Sequence, residues 1–243
     1  MKLAVIGDPV AHSASPALHR GFLDAAGIPG TYEAIRVQQG EAARAIDDLR
    51  ARGYIGLNVT TPLKEEAYAR ADVRDAAAIA AGSANTLVLG TSIAAYNTDG
   101  VGAIGALAEA GLAHVAGKRI LVLGAGPTAR SCIVAFIAAG AHVTIWNRTT
   151  TTAEEIAHRL GASVWDATDD TPDAAISALP PNADLQAPLQ KSLRATPIVV
   201  DANYGPRTTL AARLERPIHD GSAMLRASAA ASFAIFKSAA SGA

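Results

Sequence analysis

The sequence predicts an α/β protein built as two domains, and three observations carry that reading. Short β-branched runs alternate with Ala-rich segments of helical length along the whole chain, the pattern of βαβ units and mostly parallel sheets. Several of the runs are apolar on both faces, which suits strands covered by helices on each side. With 243 residues, 50% hydrophobic and 18% charged, the chain has enough apolar surface for two cores and too little charge for long-range disorder.

Taken in order, the first strand is expected at 3–7, where Gly7 and Pro9 end an apolar run, and Pro16 then opens a helix at 15–26. Strand 32–37, helix 41–52, strand 55–59 and helix 63–69 come next, and strand 86–89 completes the first set. The alternation restarts near 97–102 with helix 100–110, strand 120–124, helix 128–139, strand 142–146 and helix 152–160. Strands 174–177 and 198–201 and helices 208–214 and 224–238 close the chain. The last helix carries a stripe of Leu225, Ala229, Ser232, Phe233 and Phe236 that could pack on either domain. A junction between the two domains is expected near 97–102.

Charge and cysteine usage narrow the class. With 21 Lys plus Arg against 22 Asp plus Glu, no basic field exists to draw in a phosphate backbone, so nucleic acid is not an expected partner. The single cysteine, Cys132, sits in an apolar run and reads as a buried, inert thiol, in keeping with a reducing compartment. The apolar run at the first residues is too short for a signal peptide or a membrane span, so the expectation is a soluble cytoplasmic protein without a membrane partner.

Two groups of residues could carry chemistry. The stretch Ile120-Leu-Val-Leu-Gly124-Ala125-Gly126-Pro127-Thr128-Ala129 is a hydrophobic strand, a tight Gly-x-Gly turn and a helix start, the arrangement that brings backbone N–H groups and a positive helix end to a pyrophosphate. About twenty residues on, where NAD-binding proteins place a carboxylate on the ribose, stands Asn147-Arg148-Thr149. Arg148 can pair with a 2′-phosphate that a carboxylate would repel, so NADP is expected over NAD. In the first half, Asn58, Thr60 and Lys64 come directly after an apolar strand, and Ser13 and Ser15 lie in the loop that leaves the first strand. Asn85 and Asp99 stand at further element ends, and together these hydroxyls, amides, ammonium and carboxylate form a set suited to a polyol. No metal-ligand spacing is present.

The chain resembles the shikimate dehydrogenases over nearly its whole length. The resemblance is carried by Gly-Asp-Pro-Val-Ala-His-Ser-Ala-Ser-Pro at 7–16, Asn-Val-Thr-Thr-Pro-Leu-Lys at 58–64, Ala-Asn-Thr at 84–86 and Asn-Thr-Asp-Gly at 97–100. Gly-Ala-Gly at 124–126, Asn-Arg-Thr at 147–149, Tyr-Gly-Pro-Arg-Thr-Thr at 204–209 and Asp-Gly-Ser-Ala-Met-Leu at 220–225 continue it in the family's order. It implies a substrate domain at 1–98, a Rossmann-like NADP domain at 99–221 and a last helix, 222–243, that returns to the first domain and completes it. By the same resemblance Ser13 and Ser15 would hold a cyclic hydroxy acid's carboxylate, and Asn58, Thr60, Asn85 and Asp99 its ring hydroxyls, with Tyr204 and Ser228 nearby. Lys64 would transfer the proton, with Asp99 as its partner. The cofactor would lie on Gly124, Ala125, Gly126, Pro127, Thr128, Ala129, Asn147, Arg148, Thr149, Gly221 and Met224. The expected reaction is NADP-dependent reduction of 3-dehydroshikimate to shikimate, in a monomer or homodimer.

Three departures from the family pattern keep alternatives in view. Ser228 stands where a Gln normally faces the substrate, Ile176-Ser-Ala-Leu-Pro-Pro181 replaces an Asn-Ala-Thr turn with no Gly-Met after it, and residues 149–152 lack a second basic residue. A paralogue acting on quinate or a related acid, or a silent dinucleotide-binding protein, remains as a competing reading.

Overall fold

The computed structural model describes residues 1–168 and 170–241, and these fall into two compact units, Met1–Thr98 with Ser228–Ala243 and Asp99–Ala227.

In the first unit the chain runs β1 (Lys2–Gly7), α1 (Ser15–Ala25), β2 (Thr31–Arg36), α2 (Ala42–Ala51), β3 (Gly56–Val59), α3 (Lys64–Arg70), β4 (Val73–Arg74), α4 (Ala76–Ala81), β5 (Thr86–Leu89) and β6 (Ile93–Tyr96). They form one sheet of order β2-β1-β3-β5-β6-β4. β1 pairs in parallel with β2 and β3, and β6 with β4, but β5 runs antiparallel to both β3 and β6. That reversal positions the site. It brings the start of β5 and the end of β6 to the edge where β1 and β3 finish, so four chain segments meet there. Strands β4 and β6 and helix α4 were not expected from the sequence. The Ala-rich runs of β6 and α4 have little β-branched character or apolar periodicity, and β4 has two residues.

The second unit contains α5 (Asp99–Glu109), β7 (Arg119–Leu123), α6 (Pro127–Ala138), β8 (His142–Trp146), α7 (Thr150–Leu160), β9 (Ser163–Val164), β10 (Ala174–Ser177), α8 (Ala187–Ala195), β11 (Ile198–Asp201) and α9 (Leu210–Leu214), with a single 3-10 turn at Gly205–Arg207. Its five-stranded sheet, β11-β10-β7-β8-β9, is parallel throughout. The chain proceeds from β7 outward to β9 and then returns to the other side of β7 through β10, which makes the carboxyl end of β7 a topological switch point. Helix α6 packs Ala129, Cys132, Ile133 and Phe136 into a core with Val122, Ile145 and Ile176, and the Cys132 thiol is buried as expected.

The last helix, α10 (Ser222–Ser241), divides between the two units. Its opening residues group with the second, since Arg226 pairs with Glu109 of α5 at 2.7 Å and Met224 is buried in that unit's core. From Ser228 onward it groups with the first, where Phe236 is buried with Leu3, Val5, Val10 and Tyr32. The division therefore lies at 227/228, inside the helix, where the sequence reading placed 221/222. No helix among the described residues is long and apolar enough to cross a membrane.

Candidate active site

In the first unit, the loop leaving β1 and the loop leaving β3 are laced together. Asp8 N–H donates to Thr61 O at 3.0 Å and Thr60 N–H to Ile6 O at 2.9 Å. Gly7 is required here, because a Cβ would collide with the Thr60 side chain. Ser13 turns back within its loop and accepts the Ser15 N–H on Oγ at 3.2 Å, one residue ahead of the N-cap Ala14. Ser15 is the first residue of that helix and is buried. Lys64 opens α3 with only 8% of its surface exposed, and its carbonyl accepts the Ala84 N–H at 2.9 Å. This bond ties the lysine's backbone to the segment that carries Asn85.

Asn85 is the hub of a buried polar network. Its Oδ1 accepts from Thr98 N–H at 2.9 Å and from Thr86 Oγ1 at 3.0 Å, and its Nδ2 donates to Thr98 Oγ1 at 3.0 Å and Ser228 Oγ at 3.3 Å. Asn58 donates through Nδ2 to Asn85 O and Thr86 Oγ1 and accepts the Tyr32 hydroxyl on Oδ1 at 2.7 Å. The structure thus brings Asn58, Asn85 and Ser228 into one network, and ties Thr60 and Lys64 to its margins through the backbone. Tyr32, Thr86 and Thr98 belong to it as well and were not singled out from the sequence. Thr86 and Thr98 lie inside the quoted motifs, whereas nothing local marks Tyr32, whose partner is 26 residues away.

In the second unit, Gly124 holds φ +108, a backbone shape that disfavours any side chain, and its N–H donates to Trp146 O at 2.7 Å. Gly126 is the N-cap of α6, with no side-chain cap and open space where a Cβ would stand, and Pro127 fills the first helical position. Ala129 is buried against the sheet, and Ala125 and Thr128 are partly exposed beside the turn. Thr128 Oγ1 reaches Asp99 Oδ2 at 3.4 Å, and Asp99 is buried at the start of α5. On the next strand, Asn147, Arg148 and Thr149 come after β8, with Asn147 Nδ2 donating to Thr149 O at 3.1 Å. Arg148 is exposed and forms no ion pair among the described residues. A bare helix N-terminus over a glycine turn, with an uncommitted guanidinium one strand away, fits a dinucleotide carrying an extra phosphate.

The remaining predicted residues occupy the second unit. Gly221 is buried with its N–H donating to Asn203 O at 2.9 Å, Tyr204 precedes the 3-10 turn, and Met224 is a core residue. Lys64 belongs to the first unit and Asp99 opens the second. Asp201, buried at the end of β11, accepts from Asn203 N–H and Nδ2, and desolvation raises its pKa above the usual carboxylate value. It is an anchor of that turn.

Comparison with known proteins then decides the family. Residues 5–87 match the shikimate dehydrogenase substrate binding domain and residues 106–174 match shikimate / quinate 5-dehydrogenase. The Mycobacterium tuberculosis shikimate dehydrogenase structure is 32% identical, with a TM-score of 0.81 over 98% of this chain and 94% of that one. The chain belongs to the shikimate dehydrogenase family. A Thermus thermophilus shikimate 5-dehydrogenase, solved in complex with NADP(H) and shikimate, is 29% identical with a TM-score of 0.86, over 98% of this chain and 94% of that one. Among curated family members, a shikimate dehydrogenase (NADP(+)) of Methanococcoides burtonii is 40% identical over 158 residues, 65% of this chain and 58% of the relative. The matched region thus spans less than two thirds of that relative's length.

Proposed function

We propose that this chain is an NADP-dependent oxidoreductase that interconverts 3-dehydroshikimate and shikimate. The observation that carries the reading is the buried Lys64 at the sheet edge that also presents Ser15, Thr60 and the Asn85 network. A lysine with so little of its surface exposed, at a sheet edge that carries hydroxyls and amides, suits a polyol whose oxygen must gain or lose a proton. Bound NADP(H) would supply or accept the hydride. Gly124 to Ala129 would face its pyrophosphate, Asn147, Arg148 and Thr149 its 2′-phosphate, and Gly221 and Met224 the rest.

The chain's own residues would bind the acid and move its proton. Ser13 and Ser15, at the start of α1, orient the carboxylate. Asn58 through its oxygen, Thr60, Asn85 and Asp99 hold ring hydroxyls, with Tyr204 beside them. As charge develops on the reacting oxygen, Lys64 Nζ hands it a proton, and in the reverse direction takes one, while Asp99 holds the ammonium in place. No metal is invoked. We read the enzyme as cytoplasmic and as a monomer or homodimer.

Quinate or a related cyclic acid is the second reading, favoured by Ser228, whose hydroxyl is bound within the protein. Monitoring NADPH absorbance with NADP+ and shikimate, quinate and related acids tests both. Turnover of shikimate is expected, and turnover of another acid alone would replace it. Cofactor binding without turnover of any acid would overturn the enzymatic reading.

A further inference from the structure

Two carboxamides of the first unit have their orientations settled by the main chain. Thr98 N–H can only donate, so the Asn85 atom that faces it at 2.9 Å is the oxygen. Asn85 O can only accept, so the Asn58 atom that faces it at 3.3 Å is the nitrogen. These two fix the rest of the network. Asn58 Oδ1 must then face Tyr32, whose hydroxyl donates to it at 2.7 Å. Asn58 Nδ2 donates to Thr86 Oγ1 at 3.2 Å, which leaves the Thr86 hydrogen for Asn85 Oδ1 at 3.0 Å. Asn85 Nδ2 is thereby aimed at Thr98 Oγ1 and Ser228 Oγ. Every link has one direction, from Tyr32 through Asn58 and Thr86 to Asn85.

The first link is held from behind. The Tyr32 ring lies stacked on the His19 imidazole, with centroids 4.3 Å apart and planes 10° from parallel. His19 stands one turn after Ser15 in α1 and is 1% exposed, among Phe22, Phe233 and Phe236. The helix that begins at the proposed carboxylate site therefore also fixes the ring whose hydroxyl starts the chain of hydrogen bonds.

We propose that Tyr32 is a positioning residue for hydroxyl recognition: its hydroxyl supplies the first donor of the Asn58–Thr86–Asn85 chain, whose direction the main chain sets, and so holds the Asn58 amide and, through Thr86, the Asn85 amide in place. The proposal rests on the reading of this unit as a hydroxy-acid site. Tyr32→Phe keeps the stacked ring and deletes only the donor. A contact that acts equally on ground and transition states appears in KM, so KM for shikimate should rise roughly three- to tenfold, the worth of one net hydrogen bond, with kcat within about twofold and NADP+ affinity unchanged. Thr86→Val cuts the same chain two links on and should reproduce that split, and it serves if Tyr32→Phe folds poorly. Since both variants break one chain, the double variant should be no worse than the worse single one. An unchanged KM in both variants, multiplied losses in the double variant, or a loss confined to kcat would overturn the proposal while wild-type activity stands. A wild type inactive on every acid tested would overturn the reading of the site, and this inference with it.

Discussion

Ser228 Oγ lies 2.8 Å from Thr98 Oγ1 and also receives the Asn85 amide at 3.3 Å, so α10 is bonded to the segment that leads into Asp99. Its hydroxyl is engaged by protein groups on both counts, which leaves little for a ligand. A Gln at this position would carry an amide past the network on a longer arm. Ser228→Gln is therefore expected to lower KM for shikimate by roughly three- to tenfold, one net hydrogen bond, without greatly changing kcat. Steady-state kinetics on shikimate and quinate check it. A fall in activity toward another acid would mean that the site is shaped for that acid.

Lys64→Ala is expected to lower turnover by roughly two to four orders of magnitude, the usual contribution of an acid-base group, with substrate affinity largely kept. Single-turnover measurement with shikimate and NADP+ isolates the chemical step. More than about half of wild-type turnover in that measurement would exclude Lys64 as the proton-transfer residue.

Arg148→Ala should weaken NADP+ binding roughly ten- to a hundredfold, the loss of one charge-assisted contact, and leave NAD+ nearly unaffected. Titrating both cofactors against both proteins measures it. Equal losses would show that Arg148 does not read the 2′-phosphate.

His19 gives stability a pH dependence of known sign. Burial lowers its pKa from 6.5 to about 4, and the rings that face it, Tyr32, Phe22, Phe233 and Phe236, bring no carboxylate. Between these values the unfolded chain binds a proton that the folded chain refuses, so this contribution is complete above pH 6.5 and is lost as pH falls toward 4. The full loss is on the order of 3 kcal/mol. Urea melts of wild type and His19→Phe from pH 7.5 to 4.5 should diverge below pH 6.5, with the wild type losing more. Parallel curves would show that His19 is not the group responsible.

Much of the candidate site's layout could be read from the sequence because its residues sit in short runs at strand ends. The Gly124–Gly126 turn, the Ser13–Ser15 loop and the Thr60–Lys64 stretch each come after an apolar run, and the residues next in line after a parallel strand must emerge at its carboxyl edge. Asn85 reaches the same edge for another reason, the antiparallel β5–β6 pair, and Ile93-Ala-Ala-Tyr96 gave too little β-branched signal to expose it. Helix α8 was also missed, although Leu189 and Leu193 are four apart and both buried, because prolines at 180, 181 and 188 read as loop. Tyr32 lay beyond reach altogether. A hydrogen bond between residues 26 apart depends on pairing across β1.

The placement of Phe236 bears on how the molecule is made. The first unit is interrupted by residues 99–227 and completed only by Ser228 onward, whereas the second is continuous in sequence. A chain synthesised from its N-terminus would first expose Leu3, Val5 and Tyr32 without the Phe236 that covers them, and would hold that apolar face open while some 130 further residues emerge. At the usual elongation rates of about 5–20 residues per second, that exposure lasts roughly 6–26 s. The unit translated first is thus the one finished last, and its half-built sheet is the species that a chaperone or an aggregate would meet.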